Sequence, residues 1–155
     1  MPIDVAIDST IERTPDEVFA AVADLDAWPT WLIASGIRSV RRERPGEPSV
    51  RERLVVEQNA AGRAGTFDAE VTGFEPGHHI ALRGRDRDGV TIDIEAAVDA
   101  TPGSDGGTTE LRFSIRIALP LKYRLFESMA RPQVERAALL DVESLRLRLE
   151  SPPEG

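Results

Sequence analysis

The stretch Ile11-Glu12-Arg13-Thr14-Pro15-Asp16-Glu17-Val18-Phe19-Ala20-Ala21-Val22-Ala23-Asp24-Leu25-Asp26-Ala27-Trp28-Pro29-Thr30-Trp31 contains the switch of period on which the fold turns. Before it, Ile3, Val5, Ile7, Ser9 and Ile11 alternate with Asp4, Ala6, Asp8 and Thr10, the period-2 signature of a strand with one buried face. Thr14-Pro15-Asp16-Glu17 then reads as a capping box, with the Thr14 hydroxyl placed to accept the Glu17 amide and Pro15 at a helical position that needs no donor. Val18, Phe19, Val22 and Leu25 recur at helical spacing, which predicts a short helix ending near Asp24. A second helical turn is expected from Asp26 through Trp31.

Working outward, nothing from Ile37 to about Leu119 reads as helix. Pro45-Gly46-Glu47-Pro48, Ala61-Gly62-Arg63, Pro76-Gly77, Asp88-Gly89 and the loop from Thr101 to Thr108 divide this stretch into six runs of strand length. That loop is the stretch expected to be most mobile. Ile92, Ile94, Ala96 and Val98 share one face, as do Leu111, Phe113, Ile115 and Ile117, while Arg, Asp and Glu occupy the other. From Pro120 the period changes again: Leu121, Leu125, Met129, Leu139, Val142, Leu145 and Leu149 predict a long amphipathic helix, which Pro132 should kink or break after Arg131. The order is strand, two short helices, six strands, long helix. This is an α+β architecture in which a seven-stranded curved antiparallel sheet wraps one C-terminal helix. Residues 1–150 are read as one domain and 151–155 as a disordered tail.

The 155 residues carry 19 basic and 27 acidic side chains, a formal charge of −8, and 41% of them are hydrophobic. Such a chain can bury a core without metal or disulfide staples. There is no cysteine, which excludes disulfides, thiolate metal sites and a cysteine nucleophile. The longest uncharged stretch, Ala27 to Ile37, is too short to span a membrane, and Met1-Pro2-Ile3-Asp4 lacks the basic and apolar regions of a signal peptide, so a cytoplasmic location is expected. The acidic balance argues against nucleic acid as a partner. No His-Glu-x-x-His, Gly-x-Ser-x-Gly, P-loop or dinucleotide fingerprint occurs, so neither a metal nor a cofactor is expected.

Residues 11–31 resemble the opening of the START-like, or SRPBCC, superfamily in its polyketide cyclase/dehydrase branch, where a strand precedes Ala/Thr-Pro-x-x-Val-Phe/Trp and then Asp-x-x-x-Trp-Pro-x-Trp. Val71-Thr72-Gly73-Phe74-Glu75-Pro76-Gly77-His78-His79-Ile80-Ala81-Leu82 is similar to the family's strand, Pro-turn, strand segment. The resemblance implies a helix-grip fold with a hydrophobic cavity between sheet and C-terminal helix. It does not imply one activity, because relatives include lipid carriers, hormone receptors and aromatase/cyclases. The expected cavity lining is Trp28, Trp31, Phe67, Ala69 and Leu82, together with Ile94, Phe113, Leu125, Phe126 and Met129. The two tryptophans also serve a reading in which they simply wedge the helices onto the sheet.

The polar candidates are fewer. Adjacent on a strand, His78 and His79 point to opposite faces and cannot hold one metal together. His78 and Tyr123 are the candidates for moving a proton, against a rim position for the histidine and a solvated hydroxyl for the tyrosine. Ser9, Gln58 and Tyr123 are candidates for orienting a ligand. Arg38, Arg41, Arg42, Arg44, Arg51 and Arg53 concentrate basic charge against Glu43, Glu47 and Glu52. Cross-strand pairing explains that cluster; the sharper alternative is an anion or partner patch at Arg38, Arg41, Arg42, Arg51 and Arg53, one of which, facing inward, would select an acidic ligand head. The resulting expectation is binding or transport of a hydrophobic small molecule such as a polyketide, lipid or aromatic compound. A cyclase/dehydrase-type enzyme and a protein or RNA interaction module are the alternatives, and a homodimer stays open.

Overall fold

The computed structural model describes residues 2–60, 62–103 and 105–151. Strand β1 (Ile3–Ile11) leads into α1 (Pro15–Ala23), a 3-10 turn (Leu25–Ala27) and α2 (Trp28–Trp31). Strands β2 (Ile37–Arg42), β3 (Arg53–Ala60), β4 (Arg63–Glu75), β5 (His79–Arg85), β6 (Thr91–Ala100) and β7 (Thr109–Ala118) follow. A second 3-10 turn (Leu121–Phe126) then enters α3 (Glu127–Glu150). The capping box forms as the sequence predicts: the Glu17 amide donates to Thr14 Oγ1 at 3.2 Å and the Thr14 amide to Glu17 Oε1 at 3.4 Å. The expected tail lies outside the described residues from Pro152 onward, as do Ala61 and Ser104, which fall in two of the expected turns.

All seven strands join one antiparallel sheet in the order β1-β7-β6-β5-β4-β3-β2. Its inner face carries the alternating apolar residues that form the core with α1, α2 and α3, including Ile11, Val71, Leu111 and Phe113. Trp31 stacks edge-on against Trp28 and Phe113, with ring centroids 6.5 and 5.7 Å apart. Helix α3 lies chiefly against β1, while α1 lies against β6 and β7. Between α3 and the inner face of β6 and β7 a space is left open.

Two bulges change which residues face inward. Between Ile37 and Ser39 the register slips, so Val40 and Arg42, opposite Val56 and Leu54, face inward with Ile37. Between Val71 and Gly73 a second slip returns Phe74 to the inner face opposite Ile80, where its ring lies 5.8 Å from that of Phe19. An extra residue in one strand inverts the parity of everything beyond it.

Two expectations for the C-terminal segment are corrected. Helix α3 begins at Glu127 and continues through Pro132 without a break. A proline there removes only one hydrogen bond, to the Ser128 carbonyl, and both residues are exposed to water that can replace it. The helix phase also differs: Ala138, Asp141, Val142 and Leu145 are buried, whereas Leu139 is 50% exposed. Ala138 takes the place expected of Leu139 against the core, while Val142, Leu145 and Leu149 face inward as their spacing predicts.

Candidate functional site

Where α3 leaves the sheet uncovered, a cavity of about 360 Å³ opens between β6, β7, the turn 32–36 and the segment 130–137 of α3. Its body is apolar, formed by Ile37, Ile92, Ile94, Phe113, Ile115 and Ile117, with Val134 and two alanines of α3 opposite. A narrow extension of about 30 Å³ shares Ile37, Gln58, Ile92 and Ile94 with it and reaches inward to Trp28, Phe67, Ala69, Leu82 and Gly84. Small residues make this space. A Cβ on Gly84 would come within 3.2 Å of Ile92 Cγ2 and 3.4 Å of Phe67 Cβ.

The mouth is built by a hydrogen-bonded clamp. Asp141, 1% exposed, accepts the amides of Ala34 at 2.7 Å and Ser35 at 2.9 Å. Gln58 Nε2 donates to the Ser35 carbonyl at 2.8 Å. The Gly36 amide donates to the Ile33 carbonyl and the Ile37 amide to the Leu32 carbonyl, so the amides from Ala34 to Ile37 are all engaged. Gly36 has φ +79°, and a Cβ there would sit 1.9 Å from the Asn59 carbonyl oxygen. Burial pushes the Asp141 carboxyl above the ordinary value of 3.8, and hydrogen bonds from Ser35 and the two amides pull it partly back.

The structure brings most of the expected lining together. Trp28, Phe67, Ala69, Leu82, Ile94, Phe113 and Gln58 all line the cavity or its extension. Trp31 lies one layer behind, packed on Phe113, while Trp28 also anchors itself by donating from Nε1 to the Val22 carbonyl at 3.0 Å. Trp28 thus lines the inner extension while anchored to α1, and Trp31 packs in the core. Leu125, Phe126 and Met129 do not face the interior: they are 88, 55 and 69% exposed, because the chain around them is a 3-10 turn and the first turn of α3, displaced from the sheet. Tyr123 is exposed beneath Lys122, whose Nζ lies 4.9 Å from its ring centroid. Ser9 is half-buried on the inner side of β1, away from the cavity lining. His78 is exposed in the β4–β5 turn, and His79 Nε2 meets Glu95 Oε1 at 2.9 Å on the outer face.

The arginines resolve into two groups. Arg42 turns inward and is 4% exposed, but Glu52 grips it through Nε at 2.8 Å and Nη2 at 3.0 Å, and Asp26 through Nη1 at 3.2 Å. Hydrogen bonding to Glu52 is the largest influence on its guanidinium and raises its pKa further. The inward arginine is therefore already neutralised. On the outer face the register lines up Arg53, Glu70, Arg83, Asp93, Arg116 and Asp4, one per strand and alternating in sign. Arg83 Nε meets Asp93 at 2.8 Å and Arg116 Nε meets Asp4 at 4.0 Å. Arg41 reaches Glu57 at 3.7 Å, and Arg38 and Arg51 project into solvent. Open depressions of about 520 and 770 Å³ on this face are lined by the same matched charges.

Ser35, Gly36, Asn59, Gln133 and Asp141 contribute to the mouth without having been singled out by sequence. The only trace of Asp141 is its spacing from Ala138 and Leu145, which places a carboxylate on the buried stripe.

The family model for polyketide cyclase / dehydrase and lipid transport matches residues 2–150. The chain belongs to that family. The fold of the polyketide cyclase / dehydrase and lipid transport family is shared with solved structures of low sequence identity. The Zhui aromatase/cyclase from a Streptomyces species is 17% identical, with a TM-score of 0.75 over 97% of this chain and 94% of that one. A START superfamily protein from Mycobacterium smegmatis is 16% identical, with a TM-score of 0.74 over 95% and 97%. A Thermus thermophilus protein is 13% identical, with a TM-score of 0.72 over 94% and 96%. At these identities the likeness establishes the START-like helix-grip fold. Comparison with curated proteins finds no match. Among the described residues no helix is long and apolar enough to cross a membrane.

Proposed function

We propose that the protein binds a hydrophobic small molecule in the cavity between sheet and α3 and holds or carries it without turning it over. One observation carries this reading: among the described residues, none of the side chains lining the cavity or its extension is ionisable. Apolar burial supplies affinity there, at roughly 25 cal/mol for each Å² removed from water. Acid/base catalysis of cyclisation or dehydration needs a positioned group that exchanges a proton, and His78 and Tyr123 both lie away from the lining.

A thermal-shift panel of fatty acids, sterols, flavonoids and quinones tests the proposal. A ligand at a hundredfold excess over its Kd adds about 2.7 kcal/mol of stability, a shift on the order of 5–10 °C for a chain of this size. Ile94→Trp, which fills the cavity, should abolish that shift. Stabilisation that survives Ile94→Trp, or no stabilisation across the panel, would count against the reading. Turnover of a polyketide-like substrate that Ile94→Trp removes would replace it with an enzymatic one.

A further inference from the structure

We infer that the cavity selects an electrically neutral ligand, its apolar body enclosed by β6, β7 and α3 and its uncharged polar end met at the mouth by the carboxamide of Gln133. The inference rests on the ligand-binding reading above. Burying a carboxylate or an ammonium without a partner costs several kcal/mol in effective terms, so a charged ligand requires a counter-charge or a nest of free amides. Neither is present. Arg42, the arginine that turns inward, is held by Glu52 and Asp26.

The turn 32–36 would be the natural anion nest, since it curls around the mouth. Its amides at Ala34 and Ser35 are spent on Asp141, and those at Gly36 and Ile37 on backbone carbonyls. Asp141 makes the turn still less hospitable to an anion, because it places a carboxyl group directly behind those amides. A cation gains nothing direct from it, because Asp141 is buried behind the turn with both its oxygens engaged. The remaining polar groups at the mouth are carboxamides. Gln58 Nε2 is committed to the Ser35 carbonyl, while the side chain of Gln133 makes no hydrogen bond among the described residues and is exposed. A carboxamide both donates and accepts, so it suits a hydroxyl, carbonyl or amide on the ligand.

A matched series of naphthamide, naphthoate and naphthylmethylammonium, titrated at neutral pH by tryptophan fluorescence with isothermal calorimetry, separates the possibilities. Naphthamide should bind at least about tenfold more tightly than either charged analogue. Gln133→Leu should weaken naphthamide and leave unsubstituted naphthalene unchanged. Gln133→Arg should admit naphthoate. Equal or tighter binding of naphthoate or naphthylmethylammonium to the unsubstituted protein overturns the inference and leaves ligand binding intact. No binding of any of these probes, naphthalene included, overturns both.

Discussion

Asp141, on α3, accepts the backbone amide of Ser35 at 2.9 Å from the far side of the molecule in sequence, and with the Ala34 amide at 2.7 Å it ties the cavity mouth to the helix. Because this carboxyl is buried with amide and hydroxyl partners, desolvation outweighs the hydrogen bonds that favour its charged form. The folded protein therefore holds the Asp141 proton more tightly than the unfolded chain does. Between the ordinary value of 3.8 and the higher native one, this group makes stability fall as pH rises. Urea melts across the acid range should show that component in the native chain and lose it in Asp141→Asn. Asp141→Ala leaves two amides unpaired and should cost about 2–4 kcal/mol.

Arg42 and Glu52 form the buried counterpart. Removing either partner alone strands a charge, so Arg42→Ala or Glu52→Ala should destabilise by about 3–5 kcal/mol. Arg42→Met combined with Glu52→Leu should recover most of that loss, because it removes both desolvation costs together. Chemical denaturation of the single and double variants measures the difference. By contrast Arg83→Ala, on the exposed ladder, should cost less than about 1 kcal/mol, and less again in high salt.

Gly36 occupies a left-handed conformation with the Asn59 carbonyl against its α-carbon. Gly36→Ala adds a methyl group that the backbone itself must move to accommodate. A loss of at least about 2 kcal/mol is expected. Because the displaced segment is the rim, naphthamide binding should weaken more than stability alone accounts for, which calorimetry under folding conditions will read.

The phase of α3 is tested by two leucines. Leu145, 3% exposed, should lose about 2–5 kcal/mol on truncation to alanine. Leu125, 88% exposed, should tolerate serine within about 0.5 kcal/mol, and the same substitution should leave ligand affinity unchanged. A large loss at Leu125 would return the 121–129 segment to the interior.

The sequence by itself determined the elements, their order, and the division of the sheet into an apolar and a charged face. Period, capping and turn chemistry are local properties: Thr14 and Glu17 find each other within one turn, and alternation in β6 and β7 needs no partner to be read. Strand parity also puts Ile94 and Phe113 on the face of the cavity body and Phe67 and Leu82 on that of its extension. Only the tertiary structure decided the rest. The bulge at Arg38 sends Arg42 rather than Arg41 inward, and nothing in the local composition marks the extra residue. The exposure of Leu139 follows from Ala138 taking its place against the core, which leucine spacing does not encode. Strand register set Arg53, alone of the suspected arginine patch, in a ladder of alternating charges, and the packing of α3 brought Asp141 to a turn more than a hundred residues earlier. Each of these depends on a pairing distant in the chain, whose free energy exists only once both partners are in place.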